Sequence, residues 1–482
     1  MLTAFFTSLP YVFTVAFAFG LAVASLLQYR LAGRITPEAR IVCAVATIGL
    51  GALLSVALTS RTLDEARIAA GDVVVTYGDY ASGFAASRWL SLLLIAGALI
   101  EIVRGWVAAR VLALPDPALP ILIGLVAYYF GTILIQAAVS DKTGFSFRSL
   151  YVPIVLIAVF YQRPQRLEAI LGAAKWALLV TTLGSLAAIV LRPDFAMHRP
   201  DIGGIPGLNW RLYGLTPHAN TLGPIALLAI VLELHTPSRW WPVRWLHLGT
   251  AAIAFVLAQS KTAWAAAPVM LVVIYLPIVL GRGISGAGAA GRFDRTVWAL
   301  LGAIAVVVLT VAALVGLDAT EFVRRRDDLA TLTGRTNIWE ITLQAWRENI
   351  LFGYGPEIWG AERQIRFHMF HVGHAHNQIV QTLGEAGLVG LLLLLGYLGT
   401  LVHAGLRRFL ATRGLVLMLL MLVLVRCVTE APLRAEGLLS WATFLHVLLL
   451  VAACHAVRAP APALVATSAQ RPRDLEPDAR HG

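Results

Sequence analysis

Residues 377–401 read NQIVQTLGEAGLVGLLLLLGYLGTL, a stretch in which Glu385 is the only charged side chain. As an α-helix these residues would be about 37 Å long, which exceeds the ~30 Å hydrocarbon core of a bilayer. In water so much continuous apolar surface would lack a partner. The stretch therefore predicts a helix that crosses a membrane, with a polar beginning and a long apolar continuation.

The rest of the chain has the same character. Its 482 residues are 58% hydrophobic and 13% charged, with a mean hydropathy of +0.76, whereas soluble proteins carry roughly 25% charged residues. The composition predicts an all-α integral membrane protein with about 12–13 transmembrane helices. Thirteen apolar runs are the candidate spans: residues 4–29, 41–59, 89–103, 118–139, 149–161, 167–191, 219–235, 245–259, 262–280, 296–316, 377–401, 414–430 and 438–456.

Arginine placement predicts the orientation of the chain. The loop after every second candidate span is basic with almost no acid, which is typical of cytoplasmic loops. The pattern places the polar insertion 317–376 outside the cytoplasm, together with segments 192–218, 260–261 and 431–437. We expect four parts in the chain: ten spans in 1–316, the large outer loop 317–376 carrying part of the site, the last spans in 377–457, and a disordered cytoplasmic tail at 458–482.

Charge and cysteine content argue against two other classes of protein. The net charge is +11, but the basic residues are scattered between apolar runs, as in a membrane protein, so we expect no nucleic-acid partner. The three cysteines, Cys43, Cys427 and Cys454, lie in or beside apolar runs without metal-binding spacing. We interpret them as small buried hydrophobic residues.

Four basic or titratable elements fall on the predicted outer side. They are Arg211, Lys261 in the sequence Gln-Ser-Lys-Thr, Arg335 in Leu-Thr-Gly-Arg-Thr, and the pair His374 and His376 in Gly-His-Ala-His-Asn. Each cation taken alone could extend towards lipid head groups. Together they suit an anionic group such as a diphosphate, because guanidinium and ammonium donors make short charge-assisted bonds to phosphate oxygens.

The start of the 377–401 span adds polar groups to these cations. Gln381 and Glu385 recur at helical spacing after Asn377, and a polar stripe inside an apolar helix is costly unless it lines a cavity or meets partners. The helix dipole favours a neutral His376, which can accept a proton. The two histidines lack a well-placed carboxylate or cysteine partner, so we expect no metal. Asn337, three residues before Glu340, predicts the beginning of an amphipathic helix beside Arg335.

The string His376-Asn377, nine residues, and Gly387-Leu-Val-Gly390 resembles the HN–x9–G–xx–G signature of the O-antigen ligase and polysaccharide polymerase superfamily. Gly353-Tyr-Gly355 and the long outer loop are also similar to that family. The resemblance covers roughly residues 205–395.

The resemblance implies a metal-independent, inverting glycosyltransferase of the GT-C type, without a cofactor, in the bacterial inner membrane. Its site would face the periplasm and transfer a glycan from undecaprenyl diphosphate to a hydroxyl of an acceptor glycan or lipid. The family pattern makes His376 the candidate base, with His374 beside it, and gives Lys261 and Arg335 to the diphosphate. Arg211, Asn377, Gln381 and Glu385 are further candidates for substrate binding.

The resemblance leaves the acceptor open. Ser260-Lys261-Thr262 departs from the ligase pattern, where arginine usually occupies the second position, and favours a polymerase of exopolysaccharide or O-antigen repeat units that works with other assembly proteins. A ligase that transfers the glycan to lipid A–core is the nearest alternative. A transporter or flippase of lipid-linked sugars is less favoured, because the sequence has few mid-span charges and no visible half repeat.

Overall fold

The computed structural model describes residues 36–59, 61–63, 85–112, 116–199, 205, 208–282, 335–369, 372–435 and 437–458. The helices are α1 (Pro37–Ala57), α2 (Ala85–Leu112), α3 (Leu119–Ala138), α4 (Tyr151–Gln162), α5 (Glu168–Leu191), α6 (Pro193–Ala196), α7 (Ala219–His235), α8 (Trp241–Ala258), α9 (Lys261–Arg282), α10 (Arg335–Glu348), α11 (Ala361–Arg366), α12 (Gln378–Arg407), α13 (Leu415–Thr429) and α14 (Trp441–Arg458). Short 3-10 turns cover Phe147–Leu150 and Pro356–Trp359. Strands β1 (Met197–His198) and β2 (Arg211–Leu212) pair antiparallel, with Met197 opposite Leu212.

The prediction of an all-α integral membrane protein is confirmed. Within the described residues, seven helices are long and apolar enough to cross a membrane, and four shorter apolar helices accompany them. Eleven of the thirteen predicted spans coincide with helices, while the candidate spans 4–29 and 296–316 lie outside the described residues. Several helices extend past their predicted bounds, most of all at the ends of α2, which continues to Leu112, and of α12, which continues to Arg407.

One large apolar cluster joins most of the bundle, with α13 and α14 in its interior. Helix α12 packs along α3, α8 along α7, α2 along α4, and α1 along α5. The interpretation of the cysteines is correct for Cys427 and Cys454, which are buried, but wrong for Cys43, which is exposed on α1. A thiol is apolar enough to face either protein or lipid.

Polar contacts gather at the two ends of the bundle. At one end Arg458 pairs with Asp116 at 2.6 Å, and Arg163 pairs with the same carboxylate at 3.1 Å. These residues lie at the helix ends that the arginine pattern assigns to the cytoplasm. At the other end, which we call the outer end, residues 335–369 and 372–377 lie over the helices that carry the candidate site residues.

The outer segment is anchored by an amphipathic helix, as its sequence predicts. On α10, Ile338, Thr342 and Ala345 are buried at three- and four-residue spacing and face α12 and the turn Pro356–Trp359. The predicted beginning of this helix is wrong. Helix α10 includes Arg335, so Asn337 lies within its first turn instead of preceding it.

Candidate active site

The candidate site begins where α12 is interrupted. Gly387 has φ +61° and ψ −159°, values that break the helical geometry of α12 after Ala386. The chain at residues 350–352 enters this break, where Leu388 N–H donates to Ile350 O at 2.9 Å and Val389 N–H donates to Leu351 O at 3.1 Å. A Cβ on Gly387 would lie 2.4 Å from the Leu351 carbonyl carbon, so only glycine permits this approach.

The Gly-Tyr-Gly segment continues the same contact. Tyr354 N–H donates to Gly384 O at 2.8 Å, and a Cβ on Gly353 would lie 2.7 Å from the Gly387 nitrogen. Gly355 packs against the backbone after α3, where an added Cβ would lie 2.2 Å from Lys142 O. The glycines of the two motifs therefore let three backbone segments meet without side chains between them.

Asn377 is the N-cap of α12. Its side-chain oxygen accepts from the N–H groups of Ile379 at 2.9 Å and Val380 at 3.1 Å, and its amide donates to Val428 O at 3.2 Å. These bonds occupy the side chain that the sequence analysis assigned to substrate. His376, just before the cap, takes a left-handed backbone conformation with φ +49°, which is uncommon for a non-glycine residue.

The centre of the site is a carboxylate that the sequence analysis did not select. Glu430 follows α13, and its Oε2 lies 3.0 Å from His376 Nδ1 and 3.5 Å from His374 Nε2. Its Oε1 lies 3.8 Å from a terminal nitrogen of Arg335. Three predicted candidates from the 317–376 segment, His374, His376 and Arg335, thus meet at a single acidic side chain.

The protonation states follow from these contacts. Burial alone would raise the pKa of Glu430, but the hydrogen bond from His376 and the neighbouring positive charges outweigh burial and lower the pKa to about 2. The carboxylate is ionised at neutral pH and can only accept hydrogen bonds. Burial, reinforced by His376, lowers the pKa of His374 to about 3, so His374 is neutral.

The two histidines consequently differ in what they can do. His374 Nδ1 accepts from the backbone N–H of His376 at 3.1 Å, so its proton is on Nε2, towards Glu430. In His376 the proton is on Nδ1, because that atom donates to the carboxylate. A neutral His376 then has an unprotonated Nε2, and its side chain is 30% exposed. This arrangement matches that of a general base oriented by a carboxylate.

The polar stripe on α12 is bonded within the protein. Gln381 accepts from the backbone N–H of Ala375 at 2.5 Å and donates to Glu385 at 2.8 Å. Glu385 pairs with Arg434 at 3.1 Å. Trp339 on α10 donates to the carbonyl of Ala375 at 2.8 Å. Gln381 and Glu385 are predicted to bind substrate; in this structure both bond to protein groups, and Gln381 and Trp339 hold Ala375, the residue between the two histidines.

The remaining predicted cations lie on β2 and at the start of α9. Arg211 donates to the carbonyl of Ala258 at 3.2 Å and to Asn220 at 2.8 Å. Lys261 is the first residue of α9, and its side chain is exposed. Helix α9 packs against α13, and Gly414 before α13 approaches Val273 further along α9. Helix α13 therefore runs back along α9, from Gly414 beside Val273 towards the end where Lys261 lies.

The chain is similar in sequence to a protein family and to a known exopolysaccharide protein. The sequence model of the family described as O-Antigen ligase matches residues 246–395. The exopolysaccharide production protein ExoQ of Rhizobium meliloti (strain 1021) is 29% identical over 179 residues, which are 34% of this chain and 40% of ExoQ. The predicted resemblance to the O-antigen ligase and polysaccharide polymerase superfamily is confirmed.

The region that matches the O-antigen ligase family holds Lys261, Arg335 and both histidines, whereas Arg211 and Glu430 lie outside it. Glu430 was missed because it is 54 residues from His376 in sequence. A signal for it existed, since it follows an apolar run at the predicted outer face, where an acidic side chain needs a partner.

The expectation that the histidines lack a carboxylate partner is wrong. His374, His376 and Glu430 each offer one ligand atom, and these atoms all lie within 4.8 Å of one another, close enough to hold a metal ion. Arg335 lies 3.8 Å from the second oxygen of the same carboxylate, and Arg434 lies nearby on Glu385. These fixed positive charges oppose a divalent cation and favour an anionic ligand.

Proposed function

We propose that this chain is a membrane glycosyltransferase that transfers a glycan from undecaprenyl diphosphate to an acceptor hydroxyl at the periplasmic face of the bacterial inner membrane. The observation that carries the proposal is the hydrogen bond between His376 Nδ1 and an ionised Glu430, with Arg335 on the same carboxylate. Through Glu430, a side chain that can accept a proton, His376, lies close to a side chain that can bind an anion, Arg335. Support also comes from the family match and from the relative named for exopolysaccharide production.

The reaction uses these groups in one displacement. Nε2 of His376 takes the proton of the acceptor hydroxyl as its oxygen attacks the anomeric carbon. The bond between that carbon and the diphosphate oxygen breaks, and attack from the opposite face inverts the anomeric configuration. Glu430 stabilises the imidazolium that forms, because its carboxylate stays bonded to Nδ1.

The leaving group gains negative charge as the bond breaks. Cations fixed around the diphosphate stabilise that charge more in the transition state than in the ground state. Arg335 and Lys261 take this role, with Arg211 a third candidate. Because protein cations supply the counter-charge, the reaction proceeds without a divalent metal.

A polymerase and a ligase would use the same chemistry and differ in the acceptor. The ExoQ match favours polymerisation of lipid-linked repeat units, as Ser260-Lys261-Thr262 does. The O-antigen ligase description of the matched family favours transfer to lipid A–core. We propose polymerisation first.

The test is in vitro transfer by purified protein in nanodiscs, supplied with lipid-linked repeat units alone or with lipid A–core. A polymerase yields a ladder of longer lipid-linked products from the repeat unit alone, whereas a ligase yields product only when lipid A–core is present. His376→Ala should lower the rate by about 10²–10⁴-fold, and His374→Ala should lower it less, because both nitrogens of His374 already face protein groups. A well-folded His376→Ala variant with near-normal turnover would remove the base assignment. Transport of lipid-linked sugar without any transfer would replace the enzyme with a transporter.

A further inference from the structure

Three arginines of the described chain are buried, and two of them have clear structural roles. Arg61 donates to the carbonyls of Phe195 at 3.1 Å and Thr216 at 2.6 Å, and stacks on the Phe195 ring. Arg363 donates to the carbonyl of Ile341 at 3.4 Å and stacks on Tyr354. Each therefore has at least one hydrogen-bond acceptor and an aromatic face to offset the cost of burial, although the Nε of Arg363 has no partner among the described residues.

Arg426 has neither. Its residue is 7% exposed, and its Nε is sealed from solvent with no hydrogen-bond partner in the described part of the chain. Within those residues its guanidinium makes no hydrogen bond or ring contact. Glu430, one helical turn further on, supplies opposite charge without a direct bond. A buried guanidinium in this condition is costly unless a ligand completes its bonding.

Its position indicates which ligand. Arg426 lies in the last turn of α13, one turn from the carboxylate that holds His376 and Arg335. The side chain is a planar fork of five donors, which suits phosphate oxygens. The reacting hydroxyl of the acceptor is neutral and would leave the charge uncompensated, so the diphosphate of the donor is the better match.

We propose that Arg426 is a further diphosphate-binding residue of this site, with Glu430 as its nearby opposite charge until the donor binds. The proposal rests on the proposed function and adds a cation that the predicted set lacked. When the diphosphate arrives, it bonds to Arg426 and Arg335 and replaces Glu430 as their opposite charge. Glu430 then keeps only its hydrogen bond with His376.

The first test measures stability without donor. Arg426→Met keeps much of the volume of the side chain and removes its charge. If the guanidinium of Arg426 is unsatisfied until a ligand binds, this variant should unfold at the same temperature as the wild type or a higher one. The reason is that the substitution removes an unsatisfied buried charge. A structural arginine would give the opposite result, a fall of several degrees. Arg426→Lys serves as a second variant that keeps the charge.

The second test measures binding of undecaprenyl diphosphate and of undecaprenol to the protein in nanodiscs by native mass spectrometry. Arg426→Met should weaken diphosphate binding by about 10- to 100-fold and leave undecaprenol binding unchanged, with Arg426→Lys in between. Arg408→Met is the control, since Arg408 donates to Val457 O at the opposite end of the bundle. It should bind both lipids like the wild type.

The outcomes separate the two proposals. Normal diphosphate binding by Arg426→Met, with weak binding by Arg335→Met, would overturn the role of Arg426 and leave the proposed function standing. Equal binding of the two lipids by the wild type would overturn the diphosphate site as a whole. A large loss of thermal stability in Arg426→Met, with Arg426→Lys stable and binding normally, would assign Arg426 to the fold.

Discussion

Gly387→Ala is expected to destabilise the protein strongly, although it adds a single methyl group. Gly387 has φ +61° and ψ −159°, a conformation that residues with a Cβ rarely adopt. The added carbon would lie 2.4 Å from the carbonyl carbon of Leu351 and 2.5 Å from the nitrogen of Phe352. Both are backbone atoms, so no side-chain rotation can relieve the overlap.

The size of the effect follows from these contacts. A non-glycine residue in such a conformation costs about 1–3 kcal/mol. Moving the 350–352 segment away would also break the bonds from Leu388 to Ile350 and from Val389 to Leu351, at about 1 kcal/mol each. We expect a loss of about 3–5 kcal/mol in the free energy of unfolding.

The assay is thermal unfolding of purified variants in one detergent, with Gly396→Ala as the matched control. Gly396 lies on the same helix, and a Cβ there would meet nothing within 4 Å among the described residues. The control should be neutral or more stable by up to about 1 kcal/mol. If Gly387→Ala unfolded at the same temperature as Gly396→Ala, the interruption of α12 and the insertion of residues 350–352 would be refuted.

Three further predictions concern the site itself. Glu430→Gln should lower turnover by about 10²-fold through loss of the charge that stabilises protonated His376, with donor affinity measured separately. Because the pKa of Glu430 is lowered from 4.5 to about 2 in the folded protein, its ionised form stabilises the fold above about pH 4.5, and this stability is lost as pH falls towards 2. The Glu430→Gln variant should therefore show a smaller change in unfolding temperature between pH 6 and pH 3. Lys261→Arg should retain most activity, whereas Arg335→Lys should lose more, since lysine cannot make a bidentate phosphate contact; equal rates for the two variants would contradict this distinction. Turnover should persist in EDTA, and a loss restored by a divalent ion would contradict metal independence.

The membrane-spanning helices could be predicted from the hydrophobic pattern of the sequence. An apolar run long enough to span a bilayer has few other structures available, because its backbone must bond internally. Helix ends were less predictable. Helix α2 extends from Ala85 to Leu112 through polar and charged residues at both ends, where hydropathy no longer distinguishes helix from loop.

The site was predictable only where its residues lie close together in sequence. The histidine pair and Asn377 fall in one short string, which makes all three candidates, although the string did not predict that Asn377 caps α12. Glu430 comes from α13 and meets that string only after the bundle packs. The same limit explains the assignment of Gln381 and Glu385. A polar stripe indicates that partners exist, but it cannot distinguish a substrate from the backbone of Ala375 or the side chain of Arg434.

The spacing of the HN–x9–G–xx–G string has a mechanical explanation in this structure. Asn377 caps α12, and the nine helical residues before Gly387 rise about 14 Å. At Gly387 the chain from α10 enters the helix, and α10 spans about 21 Å from there back to Arg335. The break therefore fixes the C-terminal end of α10. The bond from Trp339 to Ala375 fixes its N-terminal end beside the histidines. Changing the number of residues between Asn377 and Gly387 would rotate and raise that anchor by about 100° and 1.5 Å per residue. Arg335 would then leave Glu430, so this spacing sets the distance between Arg335 and His376.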